Sequence, residues 1–246
     1  MSAPLGVEVD AVTHRFGSTQ ALTDVSVSFR PGPITGLVGR NGAGKTTLLS
    51  LVAALRPVQT GTVRVGGRDV WEDPSLTSRV CLVRDKGGVL EDVRIRHTLK
   101  IHRALRPHWD EDYAMTLLDR FEVPLRKNPD QLSRGQRSIL GATLALASRA
   151  EVTLLDEVYL GMDAVARRMF YDELMADYVA HPRTIILSSH LLDEVEDLME
   201  DVVVLDRGRV AAAGDADTVR QQHSTGDSLA SLTDVLVRVS TERTSR

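Results

Sequence analysis

The chain has 246 residues, 42% of them hydrophobic, enough for a packed core without disulfide or metal staples. Its 30 basic and 34 acidic side chains give a formal charge of -4, so it offers no broad cationic surface and no nucleic-acid partner is expected. The one cysteine, Cys81, excludes an internal disulfide and a metal site built from several cysteines, in keeping with a reducing compartment.

Met1 to Gly6 shows no charged stretch followed by an apolar run, so no signal peptide is read there. Val7, Val9 and Val12 begin a strand that breaks at Gly17-Ser18. Leu22, Val25, Val27 and Phe29 resume the apolar spacing until Pro31-Gly32-Pro33 stops it. Ile34 to Val38 is a third strand and runs directly into Gly39-Arg40-Asn41-Gly42-Ala43-Gly44-Lys45-Thr46-Thr47. Leu48, Leu51, Val52 and Leu55 then fall at helical spacing, which Arg56-Pro57 ends. Val63 to Val65, Gly66-Gly67 and Arg68 to Val70 form a hairpin, and Val80 to Val83 is a short buried strand.

From Asp85 to about Ala150 helical spacing replaces strands. Trp109, Tyr113, Leu117 and Phe121 share one helix face, Pro124 and Pro129 bound a connector, and a long helix follows Ser133. Its most apolar run, Ile139 to Ala147, is interrupted by Gly141 and Thr143 and is too short to cross a bilayer, so any membrane span must come from another polypeptide. Val152 to Leu155 is a buried strand, Ala166, Phe170, Leu174 and Tyr178 share a helix face, and Thr184 to Leu187 is a further strand. Leu191 to Met199 is helical, and Val202 to Leu205 and Val210 to Ala213 flank a turn at Arg207-Gly208. The tail from about Gln222 is polar apart from Val235-Leu236-Val237, and is either a small docking element or largely mobile.

Gly39 to Thr46 fits the Walker A pattern G-x-x-x-x-G-K-[ST]. Glycines let backbone N–H groups curl round phosphate oxygens, and the helix that follows points its positive end at the same anion. Lys45 would reach the β and γ phosphates and the Thr46 hydroxyl would ligate Mg²⁺. A plain glycine-rich turn is the alternative. Strands alternating with helices predict an α/β fold: a P-loop NTPase core with a mainly parallel sheet, an N-terminal antiparallel β region and an inserted helical subdomain. The expected domains are an ATP-binding core at 1–84 and 150–221, a helical subdomain at 85–149 and a tail at 222–246.

Asp156 and Glu157 close a buried strand, where ligands sit in open α/β sheets. Asp156 would hold Mg²⁺, usually through water, and Glu157 would orient or deprotonate the water attacking the γ-phosphate. Acids placed at a helix start for dipole reasons would look the same. In Leu132-Ser133-Arg134-Gly135-Gln136, Ser133 and Gln136 form a capping box that also leaves a hydroxyl, a glycine N–H and a helix N-terminus facing outward, which suits an anion.

At this pentapeptide the chain resembles the ATP-binding cassette (ABC) family, with Arg134 where the family usually has glycine, and the likeness runs from about Val7 to Val219. The resemblance implies that Phe16 stacks on adenine, that Gly161-Met162-Asp163 is the loop crossing a dimer interface, and that His190 in Ser188-Ser189-His190 contacts the γ-phosphate. Taken alone, Phe16 would be core, Asp163 a helix cap and His190 structural. Two departures stand out. Asp85 occupies the position of a family glutamine that ligates Mg²⁺, which suggests an anionic ligand in place of a neutral one, and Val158-Tyr159 replaces the usual Pro-Thr. The implied machine is a head-to-tail dimer of cassettes, identical or not, with ATP between the Gly39 to Thr47 loop of one and Ser133, Arg134, Gly135 and Gln136 of the other. It would drive a separate transmembrane permease subunit, touching it near Asp85 to Ile95, at the cytoplasmic face of the plasma membrane. Export is the expected direction. A soluble ABC ATPase acting on nucleic acid or ribosomes and a nucleotide-binding regulator with little turnover are the alternatives.

Overall fold

The computed structural model describes residues 3–84, 89–224 and 228–242. In chain order these form β1 (Val7–Phe16), β2 (Thr19–Phe29), β3 (Ile34–Val38), α1 (Lys45–Val52), β4 (Thr60–Val65), β5 (Arg68–Asp69), α2 (Pro74–Thr77), β6 (Val80–Arg84), α3 (Ile95–Leu105), α4 (Glu111–Arg120) and α5 (Arg134–Ala147). There follow β7 (Val152–Asp156), α6 (Ala164–Ala180), β8 (Thr184–Ser189), α7 (Leu192–Val195), β9 (Asp201–Asp206), β10 (Arg209–Asp215), α8 (Ala216–Gln222) and α9 (Leu232–Glu242). The chain divides into two compact units, Leu5–Asp73 with Thr184–Arg246, and Met1–Pro4 with Pro74–Arg183.

The first unit holds an antiparallel sheet in the order β2-β1-β4-β5. Val7 and Val9 of β1 point inward between exposed Glu8 and Asp10, and lie opposite Phe29 and Val27 of β2 and Val65 and Val63 of β4. This period of two buries one face and specifies the register. The same unit holds β10-β9-β3-β8. All five residues of β3 are buried, as expected of a strand covered on both faces, and it runs parallel to both β8 and β9. The Met199 side chain packs directly on Gly36 of β3, in space that a Cβ there would contest.

In the second unit β6 and β7 run parallel, from Val80 opposite Val152 to Arg84 opposite Asp156, and α5 packs on both. From Ser138 to Ala147 α5 is buried throughout, with α4 and α6 against it. A buried ionic cluster anchors the end of α6: the Asp177 carboxylate accepts from Arg149 and, at 2.6 Å, from Arg183. Arg149 also reaches Asp110 at 3.0 Å and lies over the Tyr113 ring. Removing one member would strand buried charge and destabilise the unit.

Two expectations change. Trp109 precedes α4 instead of sharing its face, because the Asp110 carboxylate accepts from Tyr113 N–H at 3.0 Å and starts the helix after it. Within the tail, Leu232–Glu242 forms α9, with Leu232 and Val235 fully buried and the helix packed on α7, α8 and β9. Among the described residues no helix is long and apolar enough to cross a membrane.

Candidate nucleotide-binding site

The loop between β3 and α1 takes its shape from glycine. Gly44 sits at φ 107°, in the left-handed region, and a Cβ there would stand 2.7 Å from the Ala21 carbonyl oxygen. β2 is therefore a wall directly behind the loop. Gly208, in the β9–β10 turn, completes the wall: its N–H donates to the Ala43 carbonyl at 2.9 Å and its carbonyl accepts from Thr23 N–H at 2.8 Å. Inside the loop, Ala43 N–H donates to the Arg40 carbonyl at 3.0 Å. The buried Lys45 side chain folds back so that its ammonium donates to the carbonyls of Gly39, at 2.7 Å, and Arg40, at 3.4 Å. Carbonyl dipoles thus hold the cation over the loop, where a phosphate would meet it. Asn41, Gly42 and Thr46 are exposed, Thr47 is half-buried, and α1 begins without a side-chain cap.

Val38 of β3 lies opposite Ser189 of β8. Gly39 and His190 therefore leave neighbouring parallel strands at the same carboxyl end, the edge at which open α/β sheets bind ligands. His190 is exposed, and the Ser189 hydroxyl accepts from Leu191 N–H at 3.0 Å to turn the chain out of the strand. Phe16, at the end of β1, is 42% exposed. Its ring meets His14 edge-on with centroids 4.9 Å apart, and the Arg56 guanidinium stands 5.0 Å from its centroid. Burial, aided by the Arg56 charge, lowers the His14 pKa below its ordinary 6.5.

The second unit holds the other named residues. Asp156 ends β7 and is buried. Glu157 is at φ 52°, a conformation that disfavours a side chain, and its carbonyl accepts from Leu160 N–H at 3.1 Å. Val158 and Tyr159 are fully buried, so the departure from Pro-Thr supplies core contacts, and the turn continues with Met162 N–H donating to the Tyr159 carbonyl at 3.0 Å. The Ser133 hydroxyl accepts from Gln136 N–H at 3.1 Å while Gln136 Oε1 accepts from Ser133 N–H at 3.2 Å, a full capping box on α5. Gly135 lies where a Cβ would be 2.8 Å from the Gly161 carbonyl oxygen, and one on Gly161 would be 2.5 Å from Arg134 Cγ. This close contact brings Ser133, Gly135, Gln136 and the 161–163 loop to one place, beside a groove of about 300 Å³. Asp163 caps α6 through Ala166 N–H at 2.8 Å. Asp85 lies outside the described residues.

Sequence reasoning missed the supports. Gly208 reads as an ordinary turn residue, and nothing local shows that it backs the phosphate loop. Gly36 inside a strand was the available signal for the close approach of Met199.

A glycine-shaped loop with its lysine folded over it, joined to a histidine at the end of the adjoining parallel strand, defines a P-loop nucleotide-binding protein. The family profile described as ABC transporter matches residues 22–159, more than half of the chain. The ATP-binding protein YtrB of Bacillus subtilis is 30% identical over 218 residues, covering 88% of this chain and 74% of that protein. The glycine betaine uptake system ATP-binding protein YehX of Escherichia coli is 30% identical over 221 residues, covering 85% and 70%. Mouse glucosylceramide transporter ABCA12 is 33% identical over 220 residues, covering 85% of this chain, which spans only 8% of that longer protein. Among solved structures, an ATP-binding subunit of an ABC transporter superposes with a TM-score of 0.83 at 23% identity, covering 95% of this chain and 98% of the other. A dimeric cassette in a post-hydrolysis state with ADP and Pi gives 0.73 at 20% identity, covering 85% and 98%. The chain belongs to the ABC transporter family, as an ATP-binding subunit with the fold and reaction class of its ATPases.

Proposed function

We propose that this subunit hydrolyses ATP as one of a pair of cassettes and so drives a separate transmembrane subunit, which holds it at the cytoplasmic face of the membrane. The observation that carries the reading is the phosphate loop itself, with Lys45 folded over it and His190 leaving the adjoining strand at the same end. Export, the direction the resemblance implies, is kept as the reading, although YehX, at similar identity, is named for uptake.

The roles follow from the side chains. Backbone N–H groups from Gly42 to Thr47 and the Lys45 ammonium bind the phosphates, and Phe16 stacks on the base. The exposed Thr46 hydroxyl and the Asp156 carboxylate are hard oxygen donors of the kind Mg²⁺ takes, and the bound ion would supply neutralisation of phosphate charge. Glu157 orients the attacking water and accepts its proton, and His190 donates a hydrogen bond to the γ-phosphate. Water oxygen bonds to the γ phosphorus as the bridge to ADP breaks. Ser133, Gly135 and Gln136 act on the nucleotide held by the other cassette, with Arg134 and Asp163 at that interface. The membrane subunit would touch the helical subdomain near Asp85 to Ile95.

Glu157→Gln tests the scheme. It should keep ATP binding, accumulate closed dimer on ATP, and slow phosphate release by about 10²-fold or more. Phosphate release at the unsubstituted rate removes Glu157 from this role.

A further inference from the structure

The sequence leaves α9 without a task, and the structure shows where it sits. His190 is followed at once by α7 and by a 3-10 turn, Glu196–Leu198, before β9 returns to the sheet. This link is anchored at its far end by Met199, whose sulfur occupies the space over Gly36 of β3. Between His190 and Met199 it is covered by α9. Leu192 and Val195 of the link and Leu232 and Val235 of α9 are all buried, and α7 and α9 pack together.

The first turn of α9 also grips the link through two carboxylates. Leu232 N–H donates to Glu196 Oε2 at 2.9 Å, and the Thr233 hydroxyl donates to Asp193 Oδ1 at 2.8 Å. Two anions at a helix N-terminus are favourably placed, so the grip is electrostatic as well as apolar. The α9 helix is itself well founded. Ser231 and Asp234 cap it reciprocally, and Arg220 Nε donates to the Ala230 carbonyl at 2.9 Å, tying its start to α8. The phosphate loop, in contrast, has its own wall in β2 and the Gly208 turn.

We infer that α9 is a brace on the segment that follows His190, making Asp193, Glu196 and Thr233 positioning residues for turnover and not for nucleotide binding. The inference rests on the reading of His190 as the contact to the γ-phosphate. A misplaced imidazole weakens a contact made to the reacting phosphate and leaves the loop that binds ATP intact. Displacing α9 would then be a means of slowing the ATPase from the chain's own C-terminal region.

The test is steady-state ATP hydrolysis by the full chain, with ATP affinity measured in parallel. In the double variant Thr233→Val, Glu196→Ala, which removes both carboxylate contacts to the first turn of α9, kcat should fall by about 3- to 10-fold while KM and ATP affinity stay within about twofold. Restoring the hydroxyl, as Thr233→Ser with Glu196 intact, should return kcat to the unsubstituted value. Val239→Ala removes buried methyl groups from the same helix, away from the grip, and should lower Tm with kcat unchanged. An unchanged kcat in the double variant, an equal loss of kcat and affinity, or an equal fall of kcat in Val239→Ala each overturns the brace. His190→Ala separates the two ideas: full turnover in that variant removes the reading of His190, whereas lost turnover there with an unaffected double variant removes the brace alone.

Discussion

The phosphate loop and the Ser133–Gln136 segment offer an anion the same groups, the N–H donors of a helix N-terminus, yet they are built in opposite ways. The loop is shaped by glycine against a wall, its helix carries no side-chain cap, and the Lys45 side chain is already folded back over it. The α5 start is closed on itself: Ser133 and Gln136 satisfy each other's backbone, and Gly135 is pressed against Gly161. Yet the Ser133 hydroxyl, in accepting from Gln136 N–H, keeps its own proton to donate. In the proposed scheme the first arrangement binds phosphate by itself. The second adds donors to a nucleotide already held elsewhere, which is what the proposed pairing of cassettes asks of it.

The contrast is broken most directly at Lys45. Lys45→Ala should weaken ATP binding by the isolated chain by about 10²-fold, seen by calorimetry, and retained affinity would mean that the loop does not work alone. Next is pH. Burial, with help from Arg106, pushes the His102 imidazole from 6.5 to about 4. Below 6.5 the unfolded chain takes up a proton that the folded one refuses, so this stability is present above 6.5 and lost as pH falls toward 4, on the order of 3 kcal/mol. His102→Gln should flatten Tm across that window, and an identical acid profile in the variant would rule out His102 as its source.

Gly135→Val should cost about 1–3 kcal/mol, because its side chain meets the Gly161 carbonyl. ATP binding by a single chain should be unchanged and turnover should fall, and a loss of single-chain affinity would show the two sites are not independent. The smallest effect is Ser133→Ala, which removes the cap on α5 at about 1 kcal/mol and lowers Tm by a few degrees without altering single-chain ATP affinity.

Local patterns alone determined much of this protein. The period of two in Val7 and Val9, the glycines before Lys45 and the capping pair Ser133 and Gln136 act on near neighbours in the chain, so they can be read without knowing the fold. Trp109 stands outside α4 for a local reason too, since Asp110 competes successfully to begin the helix. The tertiary structure alone decided what stands behind each motif: Gly208 under the phosphate loop, Met199 on Gly36, Gly161 against Gly135, and α9 on the link after His190. Those contacts join residues far apart in sequence, and the close-packed interior selects them by shape, which no periodicity records.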